Sequence, residues 1–138
     1  MSEQQNIDVV QQAYAAFGRS DLEGIIRLLD PHVSWVTPGP ADFPTAGRRH
    51  GPAAVREFFG TLLNTVEISR FHPEQFLAQG ETVVVLGTSR EGVKTGGTPV
   101  DFLWVHVFTI HAGKIVAFEE RADVSALVDQ FRSAQARM

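Results

Sequence analysis

The stretch FEERAD, residues 118–123, sets four ionisable side chains at the end of an otherwise apolar run. In an extended chain Val116, Phe118, Glu120 and Ala122 share one face, and Ile115, Ala117, Glu119 and Arg121 share the other. Glu119 and Arg121 can be solvated on an outer side, and Asp123 suits a helix cap. Glu120 points the same way as Phe118. A carboxylate facing aromatic rings is poorly solvated, which raises its pKa and suits proton transfer near neutral pH. The same residue could equally be a salt-bridged carboxylate at a strand end. Two further polar side chains sit on apolar surfaces: His106 between Trp104 and Phe108 in VDFLWVHVFTI, and Tyr14 on the stripe Ile7, Val10, Tyr14, Phe17. Each is either a hydrogen-bonded core residue or a functional one.

Other chemistries find no support. The histidines at 32, 50, 72, 106 and 111 show no H-x-x-x-H spacing, and His106 and His111 fall on opposite strand faces, so no metal site is expected. GTSREG, residues 87–92, exceeds G-x-S-x-G by one residue and lacks a strand-to-helix turn. No phosphate-binding loop is present, and no cofactor is expected.

The elements that must position these residues follow from periodicity. Residues 3–17 have helical spacing with Gly18 as the stop. SDLE, residues 20–23, has the form of a capping box and opens a second helix carrying Leu22, Ile25, Ile26 and Leu29, ended by Pro31. VSWV is a short strand. Residues 37–52 hold four prolines and three glycines, a loop long enough to be functional or mobile. Pro52 starts a third helix that buries Val55, Phe58, Phe59, Leu62 and Leu63. The period then becomes two, giving strands near 65–78, 82–93, 99–111 and 114–122, and a last helix over 124–134 capped by Asp123. The order α-α-β-α-β-β-β-β-α defines an α+β fold with helices segregated from an antiparallel meander. Strand 99–111 is apolar on both faces. With no helix left for its outer face, a homodimer packed through the sheet is expected.

Composition narrows the setting. A chain of 138 residues, 43% hydrophobic and without cysteine, suits one globular domain, no disulfide framework and no thiolate chemistry. Net charge is −4 with no basic stripe, which argues against nucleic acid as a partner. No apolar run approaches a membrane helix and no secretory leader is visible, so a cytoplasmic location is expected.

Three motifs in this order, YAAFGRSDLEGIIRLLDPHVSWVTPGP, GRRHGPAAVREFF and FTIHAGKIVAFEERADVSALV, cover most of the chain. Together they resemble the NTF2-like superfamily in its SnoaL-like or ketosteroid-isomerase-like branch. The resemblance implies a cone in which a curved, mainly antiparallel sheet and the helices enclose an apolar pocket. It also implies a homodimer and no bound cofactor. Ketosteroid isomerases use a helix-1 tyrosine, a base at the end of the first strand and a second, protonated acid. Tyr14 matches the first, but Thr37 and Trp104 replace the acids, so the resemblance does not extend to that activity. The epoxide-hydrolase pattern matches Arg90 and Glu120, while its other carboxylate falls on Gly92; alternation turns Glu91 to the opposite face. The polyketide cyclases of this branch pair a last-strand acid with a nearby histidine, matching Glu120 and His106.

The resulting expectation is a cofactor-independent enzyme for a compact hydrophobic substrate, of isomerase, cyclase or epoxide-hydrolase type. Glu120 is its acid/base, His106 and Arg90 orient or polarise the substrate, and Tyr14 donates to a developing oxyanion. Trp35, Thr37, Phe59, Trp104 and Phe118 line the pocket, with Phe43 and His50 at its mouth. The competing expectation is a non-catalytic binder of a hydrophobic small molecule in which Arg90–Glu120 closes the polar end.

Overall fold

Ser2 opens the first helix through a reciprocal capping box: its hydroxyl accepts from the Gln5 N–H at 3.1 Å, and its own N–H donates to the Gln5 side chain at 2.8 Å. This helix, α1 (Glu3–Gly18), buries Val9, Val10, Ala13 and Ala16. The structure is a computed structural model and describes residues 2–137. The second helix, α2 (Leu22–Ile26), is shorter than its apolar spacing predicts and is capped differently. Ser20 sits in the left-handed region at φ 58°, and it is the Asp21 carboxylate that accepts from the Gly24 N–H at 2.9 Å. Leu29 does not extend α2, because it already pairs with Ile115 in the sheet.

Strand β1 (Leu29–Thr37) is longer than VSWV and contains Pro31. Proline has no N–H for the ladder, and the β1 register shifts between Leu29 and Ser34. The loop that follows is shorter than predicted, because GRRH forms β2 (Gly47–His50) against the end of β1. That loop is anchored at several points. The Thr37 hydroxyl donates to the Thr45 carbonyl, and the Arg49 guanidinium donates to the carbonyls of Thr45 at 3.2 Å and Pro44 at 3.1 Å. Helix α3 (Gly51–Thr65) buries Val55, Phe58 and Phe59, whereas Leu63 is turned outward and exposed.

The remaining strands are β3 (Val66–Gln79), β4 (Thr82–Val93), β5 (Val100–His111) and β6 (Lys114–Ala122), followed by α4 (Ser125–Ala136). They form one six-stranded sheet in the order β2-β1-β6-β5-β4-β3, antiparallel throughout except for the parallel pair β1–β6. Two register shifts in β3 and one between β5 and β6 break the ladder, which is how a sheet bends around a core. The third shift corrects the simple alternation of β6. Because the ladder passes from Thr109↔Ala117 to Ile110↔Ile115, Val116 is the extra residue, and Ile115 joins Phe118 in the core.

Helices α1 and α3 cover the concave side, on which β4 presents Val83, Val85 and Ser89, and β5 presents Trp104, His106, Phe108 and Ile110. Gly87 shares this face for a steric reason. A Cβ there would lie 2.2 Å from the Trp104 ring, so only glycine admits the indole. Helix α4 brings Leu127 and Val128 onto Phe43 and Val93, a second small core at one end of the cone. On the convex side Leu103 is 75% exposed. No helix among the described residues is long and apolar enough to cross a membrane.

Candidate functional site

The antiparallel register pairs His106 directly with Glu120, so their side chains leave neighbouring strands on the same concave face. His106 Nε2 lies 2.8 Å from Glu120 Oε2, and His106 Nδ1 lies 2.7 Å from the Tyr14 hydroxyl reaching down from α1. The imidazole is clamped by rings, stacked on Trp104 at 3.9 Å and edge-on to Phe118 at 4.8 Å. Burial lowers its pKa, opposed by the hydrogen bond and charge of Glu120, which keeps the ring neutral at neutral pH. Burial, and then the Glu120 charge, push the Tyr14 phenol well above its usual value, so it stays protonated.

These protonation states fix the direction of the chain. A neutral imidazole carries one hydrogen and Tyr14 keeps its own, so Nδ1 accepts the Tyr14 O–H and Nε2–H donates to the Glu120 carboxyl oxygen; this tautomer is assigned from the network. The single hydrogen of Tyr14 is therefore held by His106. Tyr14 positions the imidazole in this arrangement, in place of the expected donation to a substrate oxyanion. Glu120 makes no other hydrogen bond among the described residues, and its side chain is 22% exposed on the cavity wall. Its second oxygen is left for whatever enters.

The cavity holds about 110 Å³ and is walled mainly by apolar and aromatic side chains, among them Phe59, Phe71, Phe102, Phe108 and Phe118. Trp35, Thr37, Phe43, Phe59 and Phe118 all border it, as their sequence positions suggest. Phe43 is buried, and its ring meets Phe131 edge-on at 5.9 Å, so it is part of the wall and not a loose lid. Trp104 is 1% exposed and lies behind His106, with its indole donating to the Ser89 hydroxyl at 2.9 Å; it supports the site without lining it. His50 is exposed at the start of α3 and lies outside the cavity wall.

Arg90 is the main correction. It faces the convex side, 45% exposed, and pairs with Asp101 at 3.1 Å; Asp101 also receives Arg70 at 3.3 Å. The register sets all three side by side on the outer face, so Arg90 neither touches Glu120 nor reaches the cavity. Its neighbour Glu91 shares the inward side with Val83, Val85 and Ser89, and lines the cavity. The alternation was readable, but both faces of β4 are apolar, so nothing in that strand shows which face is inner. Burial and then the charge of Glu120 raise the Glu91 pKa to about 7, with a Ser89 hydrogen bond acting in the opposite direction. The cavity thus holds two carboxyl groups, Glu120 oriented by His106 and Glu91 raised toward neutral pH. Among the described residues no group of three or more His, Cys, Asp or Glu side chains could hold a metal.

Among the described residues one buried side-chain polar atom has no hydrogen-bond partner: Trp35 Nε1. The Trp35 ring lies on Phe118 at 4.0 Å and meets Phe59 at 5.7 Å, so packing fixes its direction.

Comparison with known proteins agrees with this architecture. The profile of the SnoaL-like domain family matches residues 10–118. An NTF2-like protein from Burkholderia xenovorans LB400 superposes with a TM-score of 0.85 at 33% identity, covering 95% of this chain and 98% of that one. An NTF2-like protein of unknown function from Burkholderia pseudomallei K96243 gives 0.85 at 32% identity, with 95% and 98% covered. TerC, crystallised with polyporic acid, gives 0.82 at 31% identity, with 93% and 98% covered. No curated protein matches. Profile, identity and a shared cone over nearly the whole length lead to one conclusion: the chain belongs to the SnoaL-like domain family of the NTF2-like superfamily.

Proposed function

We propose that the protein is a cofactor-independent enzyme performing acid/base chemistry on a compact hydrophobic substrate, of isomerase or cyclase type. The observation that carries this reading is the state of Glu120. One oxygen is held by buried His106, which Tyr14 holds in turn through the other ring nitrogen, and the second oxygen has no partner among the described residues on the wall of an apolar cavity. In this reading Glu120 takes a proton from a carbon next to a carbonyl. The C–H bond breaks, its electron pair forms a C=C bond, and charge develops on the carbonyl oxygen. Protonated Glu91 gives that oxygen its proton, leaving an enol, and proton return at the same or another carbon completes exchange or isomerisation. With Arg90 outside the cavity, the epoxide-hydrolase pattern loses its arginine and is the weaker variant.

Glu120→Gln keeps the side-chain shape and can still accept from His106, so it should abolish turnover while sparing the fold and ligand affinity. TerC makes polyporic acid a first compound to titrate. The second reading, a binder without turnover, draws support from the same chain, since Tyr14 and His106 already satisfy each other. An assay of proton exchange at a bound ketone separates the two. We further propose that a second copy covers the convex sheet face around Leu103, whose exposure in mid-strand is otherwise unexplained.

A further inference from the structure

We infer that the groove between the α1–α2 turn, α3 and β3 is a second substrate compartment, and that it takes a neutral apolar chain carried by the ring in the inner cavity. The inference rests on that cavity being a ligand site, as proposed above. Volume is the first reason. The inner cavity holds about 110 Å³. An apolar protein cavity of about 150 Å³ takes a single benzene ring. A substrate larger than one ring must therefore reach adjoining space. The groove supplies it, with about 770 Å³.

The two spaces adjoin. Tyr14, Phe17, Phe59, Ile68 and Phe71 border both, so their side chains form the boundary. The Phe17 ring meets Phe71 at 5.1 Å and Phe59 at 6.0 Å, and Phe17 and Phe71 are half-buried. The opposite end of the cavity is closed. Loop 38–46 is pinned to α4 there by Arg132 on Asp42, at 2.9 and 2.8 Å, and by Phe43 edge-on to Phe131. The space outside that end is lined by Asp123, Asp129 and Arg132, so a chain leaving by it would lie against charges.

The walls of the groove indicate what the chain is. The apolar pattern of α3 assigns Leu63 to the buried face, yet Leu63 is 51% exposed and lines the groove with Leu22, Ile68 and Pro73. Such a side chain leaves water only when something apolar lies on it. The charges of the rim select no ion. Arg56 pairs with Glu23 and Arg70 with Asp101, while Lys94 and Glu67, in no ion pair among the described residues, are of opposite sign. Asp21 is committed to the Gly24 N–H.

The test compares 1-tetralone with 6-hexyl-1-tetralone, whose chain leaves the ring away from the carbonyl, and with a third compound that ends the chain in a carboxylate. By calorimetry the hexyl compound should bind wild type about 30-fold or more tighter than 1-tetralone. Leu63 is exposed, so Leu63→Gln should fold; it should cut that gain by about fivefold and leave 1-tetralone affinity unchanged. Nuclear Overhauser contacts from the terminal methyl of the chain should reach the methyl groups of Leu63 or Leu22. The carboxylate compound should bind more weakly than the hexyl one. No saturable binding of the hexyl compound, a gain below about threefold, or a gain unchanged in Leu63→Gln each overturns the inference. So do chain contacts to Val128 at the opposite end, or tighter binding of the carboxylate. The catalytic reading fails separately, because Glu120→Gln tests turnover and leaves the gain from the chain in place.

Discussion

Replacing Glu91 by glutamine should make the protein more stable, and only above mildly acidic pH. In the folded chain the Glu91 carboxyl is raised from its ordinary 4.5 to about 7, by burial first and by Glu120 second. Between those two values the folded state holds a proton that the unfolded chain releases. Stability therefore falls as pH rises through this window and levels off above the folded pKa. The separation corresponds to about 3 kcal/mol of lost stability at pH 8. Glutamine cannot ionise, so Glu91→Gln should recover up to about 3 kcal/mol at pH 8 and almost nothing at pH 4. For a chain of this length that equals about 10 °C in Tm. Urea unfolding of both proteins at intervals from pH 4 to pH 8 reads the difference directly and cancels the groups they share. A Glu91→Gln variant no more stable than wild type at pH 8, or stabilised equally at every pH, would refute the placement of this carboxyl in the cavity.

Two other perturbations probe the faces of the sheet. Arg90→Ala removes an exposed pair with Asp101, so it should cost under about 1 kcal/mol and leave ligand affinity unchanged; a clear loss of affinity by calorimetry would return Arg90 to the site. Leu103→Glu sets a charge in the middle of the convex face and should convert a dimer to a monomer by sedimentation velocity, whereas an unchanged sedimentation coefficient contradicts the proposed interface.

The long strands and the terminal helices were legible because their signals are local. Period two marks β3 to β6 except where the register shifts in β3 and β6, AQGE and HAGK supply turns, and the boundaries of β4 and β6 fall at the alternating segments 82–93 and 114–122. Glu120 was legible for the same reason, since Phe118 marks the inner face of its strand. What the sequence concealed depends on contacts made only in the fold. GRRH has no apolar alternation and becomes β2 by pairing with β1. Leu29 leaves the second helix because Ile115 recruits it to the sheet. Arg90 and Glu91 exchange faces relative to expectation because Val84 and Leu86 are as apolar as Val83 and Val85, so alternation gives a period without a side. The partnership of Tyr14 with His106 links residues 92 positions apart and follows from how α1 docks.

Glu120, in the proposed reaction, moves a proton at carbon. Hydrogen–deuterium exchange at C2 of 1-tetralone, followed by NMR in D₂O at pH 7 with wild type and Glu120→Gln, tests it most directly. Wild type should exchange that position faster than buffer alone. The variant, folded and binding tetralone as wild type does, should lose about a hundredfold or more of the protein-dependent rate. Exchange by Glu120→Gln at the wild-type rate, or no exchange above buffer by wild type with tetralone bound, would rule out Glu120 as the carbon base.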